Sequence, residues 1–526
     1  MRGIWERYRR EEKGAVRKDR GGKLFVVLAF PDRYKVGMAN LGLHLVYRLL
    51  NEQPDVVCER TFLPDPGEEE ELRRTGRPLT TVESETPVYE ADILAFSIPW
   101  EVNYLGVLRL LELSKIPLLP EERSEWHPVV IAGGFAVTMN PLPILPFLDF
   151  FCPGFAEGVV KGLTSWYNQV GDRGRRLSSP ERKQRTTLRD KAIGAWFVEP
   201  GNRSHHRRNG RSKEWSNGGR RPPFLSWLPA RTEVLTPYSE FGETFLLEIG
   251  RSCPWRCKFC ATPSVYGRPL FASLDQILSS IDTAPFPVRR VGLVSPAPTD
   301  HPEIVDICKA LLERGLKFTL ASLRADSSTA ELMRLIAEGG QRTITLAPEV
   351  GTLRLAEAIG KRGAFERVWD AVAYAEEAGI RAVRLYFMVG LPTETEEDVE
   401  AIGRMLKEMS RRHPRVKFTA SVGAFVPKPG TPFEHSGMEP IPILERKIRK
   451  IERAARPLPN VEVVSDPPKW AYIEAVLARG DERTAEVLLR AYRLGGTFSA
   501  WRRAARELGV DLDDYALKGR TTNGIS

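Results

Sequence analysis

The chain has 526 residues, of which 42% are hydrophobic and 28% charged, and this balance excludes a mainly disordered or fibrous protein. Its length exceeds what one hydrophobic core usually supports, so we expect two or three domains. The formal charge of +9 would suit a polyanionic partner such as RNA. Much of that excess lies in one tail-like segment, which favours a solvated loop instead.

The basic segment at residues 1–22 is not followed by an apolar stretch that ends in a cleavage site, and no apolar run reaches membrane-spanning length. We therefore expect a cytoplasmic protein with no membrane contact. Six cysteines are too few for a disulfide scaffold in so long a chain. Three of them fall within eight positions, which indicates metal binding in a reducing compartment.

Residues 23–170 alternate between strand patterns and helical patterns, which predicts a doubly wound parallel sheet with helices on both faces. A sheet of this type binds its ligand at the carboxyl ends of the strands, here in the loops at residues 37–41, 98–101 and 133–137. The predicted strands are KLFVVLAF at 23–30, DVVCERTF at 55–62, DILAFSIP at 92–99, PVVIAGG at 128–134 and FLDFFCPG at 147–154.

Residues 171–232 are rich in Arg, Ser, Gly and Asn and are too polar to build a core, so we interpret them as a linker. An RNA-binding role for these arginines is the alternative to a solvated loop.

Residues 233–440 contain six strand patterns separated by helical patterns. Six βα units of this length predict a partial (β/α)6 barrel, whose active site lies in the loops after the strands. Residues 441–526 are predicted to form a small helical C-terminal extension. The predicted barrel strands are FLLEIG at 245–250, VGLVS at 291–295, KFTLAS at 317–322, TITLAP at 343–348, AVRLYFMVG at 382–390 and VKFTASVGAFV at 416–426.

The segment RSCPWRCKFC places Cys253, Cys257 and Cys260 directly after the first barrel strand. An iron-sulfur cubane normally takes four thiolates, so three would leave one iron free to bind a small molecule. Zinc is the alternative, but a structural zinc site needs a fourth ligand, and none is nearby in the sequence. The remaining cysteines lie in apolar strand or helix patterns and are expected to pack in cores: Cys58, Cys152 and Cys308.

With Phe259 before the last cysteine, the CxxxCxxC motif resembles the radical S-adenosylmethionine superfamily. The segments LAPEVGTLRLAEAIGK, RLYFMVGLPTETEEDV and ASVGAFVPKPGTPFEH look like the later barrel strands of members that carry an N-terminal cobalamin-binding-like domain. FPDRYKVGMANLGLHLVYRLLNE and YIEAVLARGDERTAEVLLRAYRLG look closer still to an uncharacterised subfamily of that group. The resemblance covers nearly the whole chain outside the linker.

The resemblance implies a 4Fe-4S cluster and S-adenosylmethionine, whose reductive cleavage yields a 5′-deoxyadenosyl radical. It also implies an electron donor of the flavodoxin or ferredoxin type, and modification or methylation of a substrate that could be RNA, a peptide or a small molecule. A noncatalytic iron-sulfur or RNA-binding protein that retains the fold is the alternative. A methylthiotransferase would need a second three-cysteine cluster, which Cys58 and Cys152 cannot supply.

The N-terminal domain type also makes cobalamin a possible second cofactor. Many cobalamin domains offer cobalt a histidine from an Asp-x-His-x-x-Gly motif, which this chain lacks. His44 lies in a helical pattern and is predicted to be a core or surface histidine instead of a ligand.

The loops after the barrel strands supply candidate contacts to S-adenosylmethionine. Backbone carbonyls of the stretch that begins at Ser295 would accept from its ammonium, although the Gly-Gly-Glu-like pattern usual in the superfamily is absent. Arg324 would pair with its carboxylate and Glu349 with its ribose hydroxyls. The alternative for these two residues is an ion pair with each other.

Two further segments are predicted to lie near the adenine. Phe259 would pack beside the ring, or else form a hydrophobic plug under the cluster loop. Gly390 and Pro392 would bring the loop MVGLPTE close to it, since glycine permits a close backbone approach. A simple turn after a strand would use the same two residues. The resemblance assigns no catalytic residue that acts on the substrate.

Overall fold

The computed structural model describes residues 3–160, 162–163 and 229–519. The linker predicted at 171–232 lies outside these residues apart from 229–232, and so does the RNA-binding alternative for its arginines. No helix in the described part of the chain is long and apolar enough to cross a membrane.

The described residues form an α/β fold, as predicted. The strands are β1 Leu24–Arg33, β2 Val56–Leu63, β3 Ile93–Ser97, β4 Val129–Gly133, β5 Phe150–Cys152, β6 Phe245–Glu248, β7 Gly250–Arg251, β8 Leu270–Phe271, β9 Arg290–Val294, β10 Lys317–Leu320, β11 Thr343–Glu349, β12 Ala382–Val389, β13 Lys417–Ala424 and β14 Val461–Ser465. All eleven strands predicted from the sequence are among them.

The helices alternate with these strands along most of the chain. They are α1 Glu6–Arg9, α2 Tyr34–Gly37, α3 Leu41–Glu52, α4 Pro66–Thr75, α5 Tyr104–Leu113, α6 Phe135–Met139, α7 Thr262–Tyr266, α8 Leu274–Asp282, α9 Ile304–Glu313, α10 Ala330–Glu338, α11 Leu353–Ala358, α12 Arg362–Glu366, α13 Val368–Glu377, α14 Glu396–Arg412, α15 Ile441–Ala455, α16 Pro468–Arg479, α17 Glu482–Arg493, α18 Phe498–Glu507 and α19 Leu512–Ala516.

The chain forms two compact units. Unit 1 comprises Met1–Glu243 and Gly480–Asp511, and unit 2 comprises Thr244–Arg479 and Leu512–Ser526. Helices α17 and α18 therefore belong to unit 1, while α15, α16 and α19 belong to unit 2. The domain boundaries predicted from the sequence stay predictions.

Unit 1 contains a five-stranded parallel sheet in the order β2-β1-β3-β4-β5. This order is one of the two common arrangements of doubly wound sheets, so the predicted fold class is confirmed. Strand β2 is buried along its whole length, and residues 24–31 of β1 are buried. Near-continuous burial of this kind is typical of parallel strands that are covered on both faces.

The N-terminal segment contributes to the core of unit 1 through a buried ion pair. Glu12 Oε2 lies 2.8 Å from Arg60 Nη2, and Arg60 Nε lies 2.6 Å from Glu83 Oε1. Tyr34 donates its hydroxyl to Glu12 at 2.6 Å. Burial would raise the pKa of the Glu12 carboxyl, but the Arg60 guanidinium holds it below its ordinary value. The segment predicted as a basic N-terminal stretch is thus tied to β2.

Unit 2 contains seven parallel strands in two sheets, in the orders β10-β9-β6 and β11-β12-β13-β14. An isolated parallel bridge between Leu323 and Leu346 joins the two sheets, and Leu323 donates its backbone N–H to Thr345 O at 2.8 Å. Strands and helices alternate as expected for a partial barrel.

Residues 441–526 are mainly helical, as predicted, and they also contain β14, which adds a seventh parallel strand to unit 2. It pairs in parallel with β13, with Phe418 opposite Val461. Its five residues, VEVVS, follow the long helix α15 and are half-buried or exposed. The run is short and the helical periodicity around it is strong, so the sequence pattern hid it.

The carboxyl ends of parallel strands meet at one edge of a sheet, and each predicted site residue lies at or just after such an end, with Glu349 as the last residue of β11. The cysteine loop follows β6, and the other candidate residues follow β9, β10, β11 and β12 in turn. These loops are the described segments 252–260, 295–302, 321–328, 350–352 and 390–395.

Candidate functional site

The three cysteines of the CxxxCxxC motif line one cavity of about 470 Å³ in unit 2. Cys257 is buried, while Cys253 and Cys260 are half-buried, and all three are free thiols. Cys260 donates its backbone N–H to Cys257 O at 3.0 Å. Within the described residues, no group of three or more His, Cys, Asp or Glu side chains could hold a metal ion as placed. The thiols therefore share a cavity without being gathered around a single ion.

The cysteine loop is braced by contacts with three other segments. Ser252 has a left-handed φ of 67° and donates its hydroxyl to Gly267 O at 2.6 Å. Lys258 donates its backbone N–H to Ile359 O at 3.0 Å and accepts at its own carbonyl from Phe433 N at 3.2 Å. Because the loop is held at Ser252 and at Lys258, it presents the thiols from a fixed frame.

Two cations lie beside Cys257. Burial raises the pKa of the Cys257 thiol, and the charges of Lys361 and Arg324 act in the opposite direction. Arg324 Nη1 donates to Cys257 Sγ at 3.9 Å. Thiolates, not thiols, bind metals, and nearby cations favour the thiolate. The donor set therefore fits an iron-sulfur cluster, whose thiolates bind separate irons and need not meet at one point.

The Arg324 side chain is engaged by a carboxylate and an aromatic ring. Its Nε and Nη2 donate to Asp326 Oδ1 and Oδ2 at 3.0 and 2.7 Å. Its Cζ lies 3.8 Å from the centroid of the Trp255 ring. Arg324 therefore does not pair with Glu349, and the sequence-based alternative of an ion pair between them was wrong.

Glu349 pairs instead with Lys361, whose Nζ donates to Glu349 Oε1 at 2.6 Å, and both side chains are largely buried. Glu349 has a φ of 67°, an uncommon value for a residue other than glycine, and it follows a register shift at the end of β11. Such backbone strain clusters at functional sites. Lys361 was missed by the sequence analysis. The sequence signal that could have found Lys361 is the glycine before it. Gly360 has a left-handed φ of 75°, and a glycine in this conformation commonly follows the end of a helix, here α11.

Ser295 directly follows β9 and lies against Gly250 of β7. A Cβ atom on Gly250 would come within 2.8 Å of Ser295 Oγ, so only glycine permits this approach. Ser295 Oγ accepts from the backbone N–H of Ala297 at 3.3 Å. The structure thus brings the Ser295 loop next to the strand that precedes the cysteines.

Phe259 is half-buried and packs against a core cluster of unit 2. This contact favours the hydrophobic-plug interpretation over packing against an adenine. The buried members of the cluster are Val350, Leu355, Ala356, Ile359, Leu391 and Phe425.

The predicted adenine loop forms a tight turn after β12. Gly390 has a left-handed φ of 81° and donates its N–H to Glu394 Oε1 at 3.0 Å. A Cβ atom on Gly390 would lie 2.6 Å from Leu444 Cδ2, and the left-handed φ is itself strained for any other residue, so the turn accounts for this glycine. Pro392 is half-buried in the same turn. These contacts explain both residues without a ligand.

In unit 1, other residues of the same unit occupy the space beside the glycines of the predicted ligand loops. A Cβ atom on Gly37 would lie 2.4 Å from Phe62, and one on Gly134 would lie 2.4 Å from Ile98 O.

His44 is buried, and its ring nitrogens bond Met38 O at 3.0 Å and the backbone N–H of Glu233 at 3.2 Å. Burial lowers the pKa of His44 to about 4. The prediction of a core histidine agrees with these contacts.

Two family models match this chain. One is described as radical SAM proteins, N-terminal, and matches residues 42–189; the other, the radical SAM superfamily, matches residues 247–406. The matches identify a radical S-adenosylmethionine enzyme. The chain belongs to the radical SAM superfamily.

Several proteins are similar to this chain over different lengths. An uncharacterised protein of Methanocaldococcus jannaschii is 26% identical over 472 residues, 88% of this chain and 90% of that protein. An uncharacterised methyltransferase of Pyrococcus horikoshii is 26% identical and covers 39% of this chain and 45% of its own length. A ribosomal protein uS12 methylthiotransferase of Escherichia coli is 26% identical over 35% of this chain and 46% of its own length. The chain thus spans under half the length of the last two.

Among solved structures, the cobalamin-dependent S-adenosylmethionine radical enzyme OxsB with aqua-cobalamin bound is 14% identical, with a TM-score of 0.48. The match covers 82% of this chain and 56% of that chain. Membership of the superfamily gives the present chain a 4Fe-4S cluster and S-adenosylmethionine as cofactors.

Proposed function

We propose that Cys253, Cys257 and Cys260 bind the 4Fe-4S cluster and that the enzyme uses it to cleave S-adenosylmethionine reductively, in order to modify or methylate a substrate that is still to be identified. The observation that carries this proposal is the set of three thiols in one cavity, with two cations beside Cys257. When bound, the cluster supplies one electron that breaks a carbon-sulfur bond, and the products are methionine and a 5′-deoxyadenosyl radical.

The Glu349–Lys361 pair is our candidate for orienting the ribose of S-adenosylmethionine. Lys361 engages one oxygen of the Glu349 carboxylate, and a carboxylate has lone pairs for further donors. The strained φ of Glu349 sets the carboxylate at the end of β11. Ser295, which contacts the strand before the cysteines, is our candidate for the ammonium end of the cofactor.

The remaining predicted contacts to the cofactor receive weaker support. The contacts of Gly390 and Pro392 are those of a turn, and those of Phe259 are those of a core residue. For these three residues we propose that they shape the wall near the cofactor by packing. Direct contact with the adenine stays a sequence-based prediction.

A low-potential electron donor of the flavodoxin or ferredoxin type is the partner that this reaction requires, and the cytoplasm is where we expect to find it. Support comes from exposed basic residues next to the thiols. Arg256 lines the cavity, and Lys258, one residue beyond Cys257, is also exposed. Positive charge at this point would attract the acidic surface that such donors present.

Methylthiotransferase chemistry has no second cluster to use in this sequence. Cys58, Cys152 and Cys308 are buried, and burial raises the pKa of each of these thiols. The six cysteines of the sequence therefore leave only the triplet for iron. Radical modification or methylation is the better proposal, and a noncatalytic iron-sulfur protein is the outcome if no cleavage of S-adenosylmethionine is found.

Cobalamin stays a prediction for unit 1, and its cobalt would have no lower ligand from His44, because both ring nitrogens are bonded. Purified protein mixed with hydroxocobalamin and passed through gel filtration should retain cobalamin. Its absorption spectrum should be that of a cobalamin whose own base is displaced from cobalt. Loss of all cobalamin from protein that still forms 5′-deoxyadenosine would contradict the prediction.

Replacing Cys253, Cys257 or Cys260 with Ala should abolish the cluster and with it the formation of 5′-deoxyadenosine, because no substitute thiol lies in the cavity. The measurement is iron and sulfide content after anaerobic reconstitution, followed by assay of deoxyadenosine with dithionite. Cys308→Ala is the matched control and should keep full iron content, since Cys308 is a core residue. An intact cluster in any of the three variants would contradict the assignment of these cysteines as its ligands.

Glu349→Gln should weaken S-adenosylmethionine binding roughly tenfold to hundredfold while iron content stays unchanged, because loss of a charged hydrogen bond costs ~1.5 to 3 kcal/mol. Glutamine can still accept from Lys361, so the fold should survive. Anaerobic titration of the reconstituted protein gives the affinity. Glu357→Gln serves as the control, since Glu357 pairs with Arg362 on an exposed helix surface. Equal affinity in the wild type and Glu349→Gln would leave Glu349 a purely structural residue.

A further inference from the structure

The Arg324 guanidinium is held in one orientation next to a cluster cysteine. Asp326 accepts from its Nε and Nη2, and the Trp255 ring lies 3.8 Å from its Cζ. The remaining amino group, Nη1, donates to Cys257 Sγ at 3.9 Å. The side chain is largely buried, so these contacts operate in a low local dielectric, where hydrogen bonds are stronger.

The partners of Arg324 are themselves held in place. Trp255 donates its Nε1–H to Asp300 Oδ2 at 2.7 Å, and Ser327 donates its hydroxyl to the other oxygen of Asp300. The backbone N–H of Arg324 donates to Thr299 Oγ1 at 3.2 Å. The loops after β9 and β10 therefore lock the aromatic ring and the guanidinium together.

These contacts do not suit the role that the sequence suggested for Arg324. Bidentate binding of a carboxylate uses two parallel N–H groups of the guanidinium fork. Asp326 already occupies such a pair, and Trp255 covers one face of the plane. Of the three N–H groups that Asp326 leaves, one at Nη1 is directed at sulfur, so the guanidinium is oriented by Asp326, Trp255 and Cys257.

We propose that Arg324 is a positioning residue for the cluster: it donates a hydrogen bond to the Cys257 thiolate and raises the reduction potential of the cluster. The proposal rests on the proposed function, because it requires the cluster to be bound at Cys257. Hydrogen bonds to the sulfurs and nearby charge set the potential of such clusters. Reduction adds negative charge to the cluster and its thiolates, so a donor stabilises the reduced form more than the oxidised form. Arg324 thereby eases the entry of the electron.

The test is a redox titration of the anaerobically reconstituted full chain, followed by EPR in the absence of S-adenosylmethionine. Arg324→Met should shift the midpoint potential to a more negative value, with iron content unchanged and affinity for S-adenosylmethionine within twofold of the wild type. Arg324→Lys should recover part of the shift, because it keeps the charge but loses the fork and the stack. Trp255→Phe should give a smaller shift in the same direction, because it frees the ring from Asp300.

Arg314→Met is the control. Arg314 pairs with Asp282 on an exposed surface of the same unit and does not line the cavity of the thiols. Its potential should equal that of the wild type. A wild-type potential in Arg324→Met and Trp255→Phe would overturn the proposal, and so would a tenfold loss of S-adenosylmethionine affinity at unchanged potential, which would restore the carboxylate role.

Should Arg324→Met fail to retain iron, Arg324→Lys and Trp255→Phe decide the matter, since both are milder changes. A negative shift in either supports the proposal, and a wild-type potential in both refutes it. Failure of the wild-type protein to assemble any cluster is a different result, because it would remove the proposed function itself.

Discussion

A buried thiolate needs positive charge nearby, and this requirement organises the mouth of unit 2. Burial raises the pKa of Cys257 and so opposes the ionised form that binds iron. Two side chains from other loops supply the compensation. Arg324 comes from the loop after β10 and Lys361 from the turn after α11. Each cation is paired in turn with a carboxylate, Asp326 or Glu349, so the charges are held in defined positions.

Backbone geometry makes this arrangement of charges available. Ser252, Glu349 and Gly360 all have left-handed φ values, and they lie before the cysteines, at the end of β11 and directly before Lys361. Such conformations cost energy for residues other than glycine and persist only when the surroundings fix them. The parallel strands supply those surroundings, since their carboxyl ends meet at one edge. A fold of local βα units can therefore bring distant loops to one cavity.

The strand patterns and the cysteine motif were predictable from the sequence because they are local. Strands such as β1 and β12 are continuous or alternating apolar runs, and the spacing of Cys253, Cys257 and Cys260 needs no tertiary information. The partners of Arg324 and Glu349 were not predictable in the same way. Whether an arginine meets Asp326 or Glu349 depends on loop conformation, which the residue types alone do not determine. Strand β14 was missed because its five residues lie among strong helical patterns.

With three cysteine thiolates as its protein ligands, the cluster should have one iron open to S-adenosylmethionine. The most direct measurement is electron-nuclear double resonance of the reduced, reconstituted protein, with and without S-adenosylmethionine labelled with ¹⁵N at its amino group. We expect a hyperfine coupling from the labelled nitrogen to the cluster, together with a changed EPR signal. A reduced cluster whose EPR signal stays the same at saturating S-adenosylmethionine, with no nitrogen coupling, would contradict it.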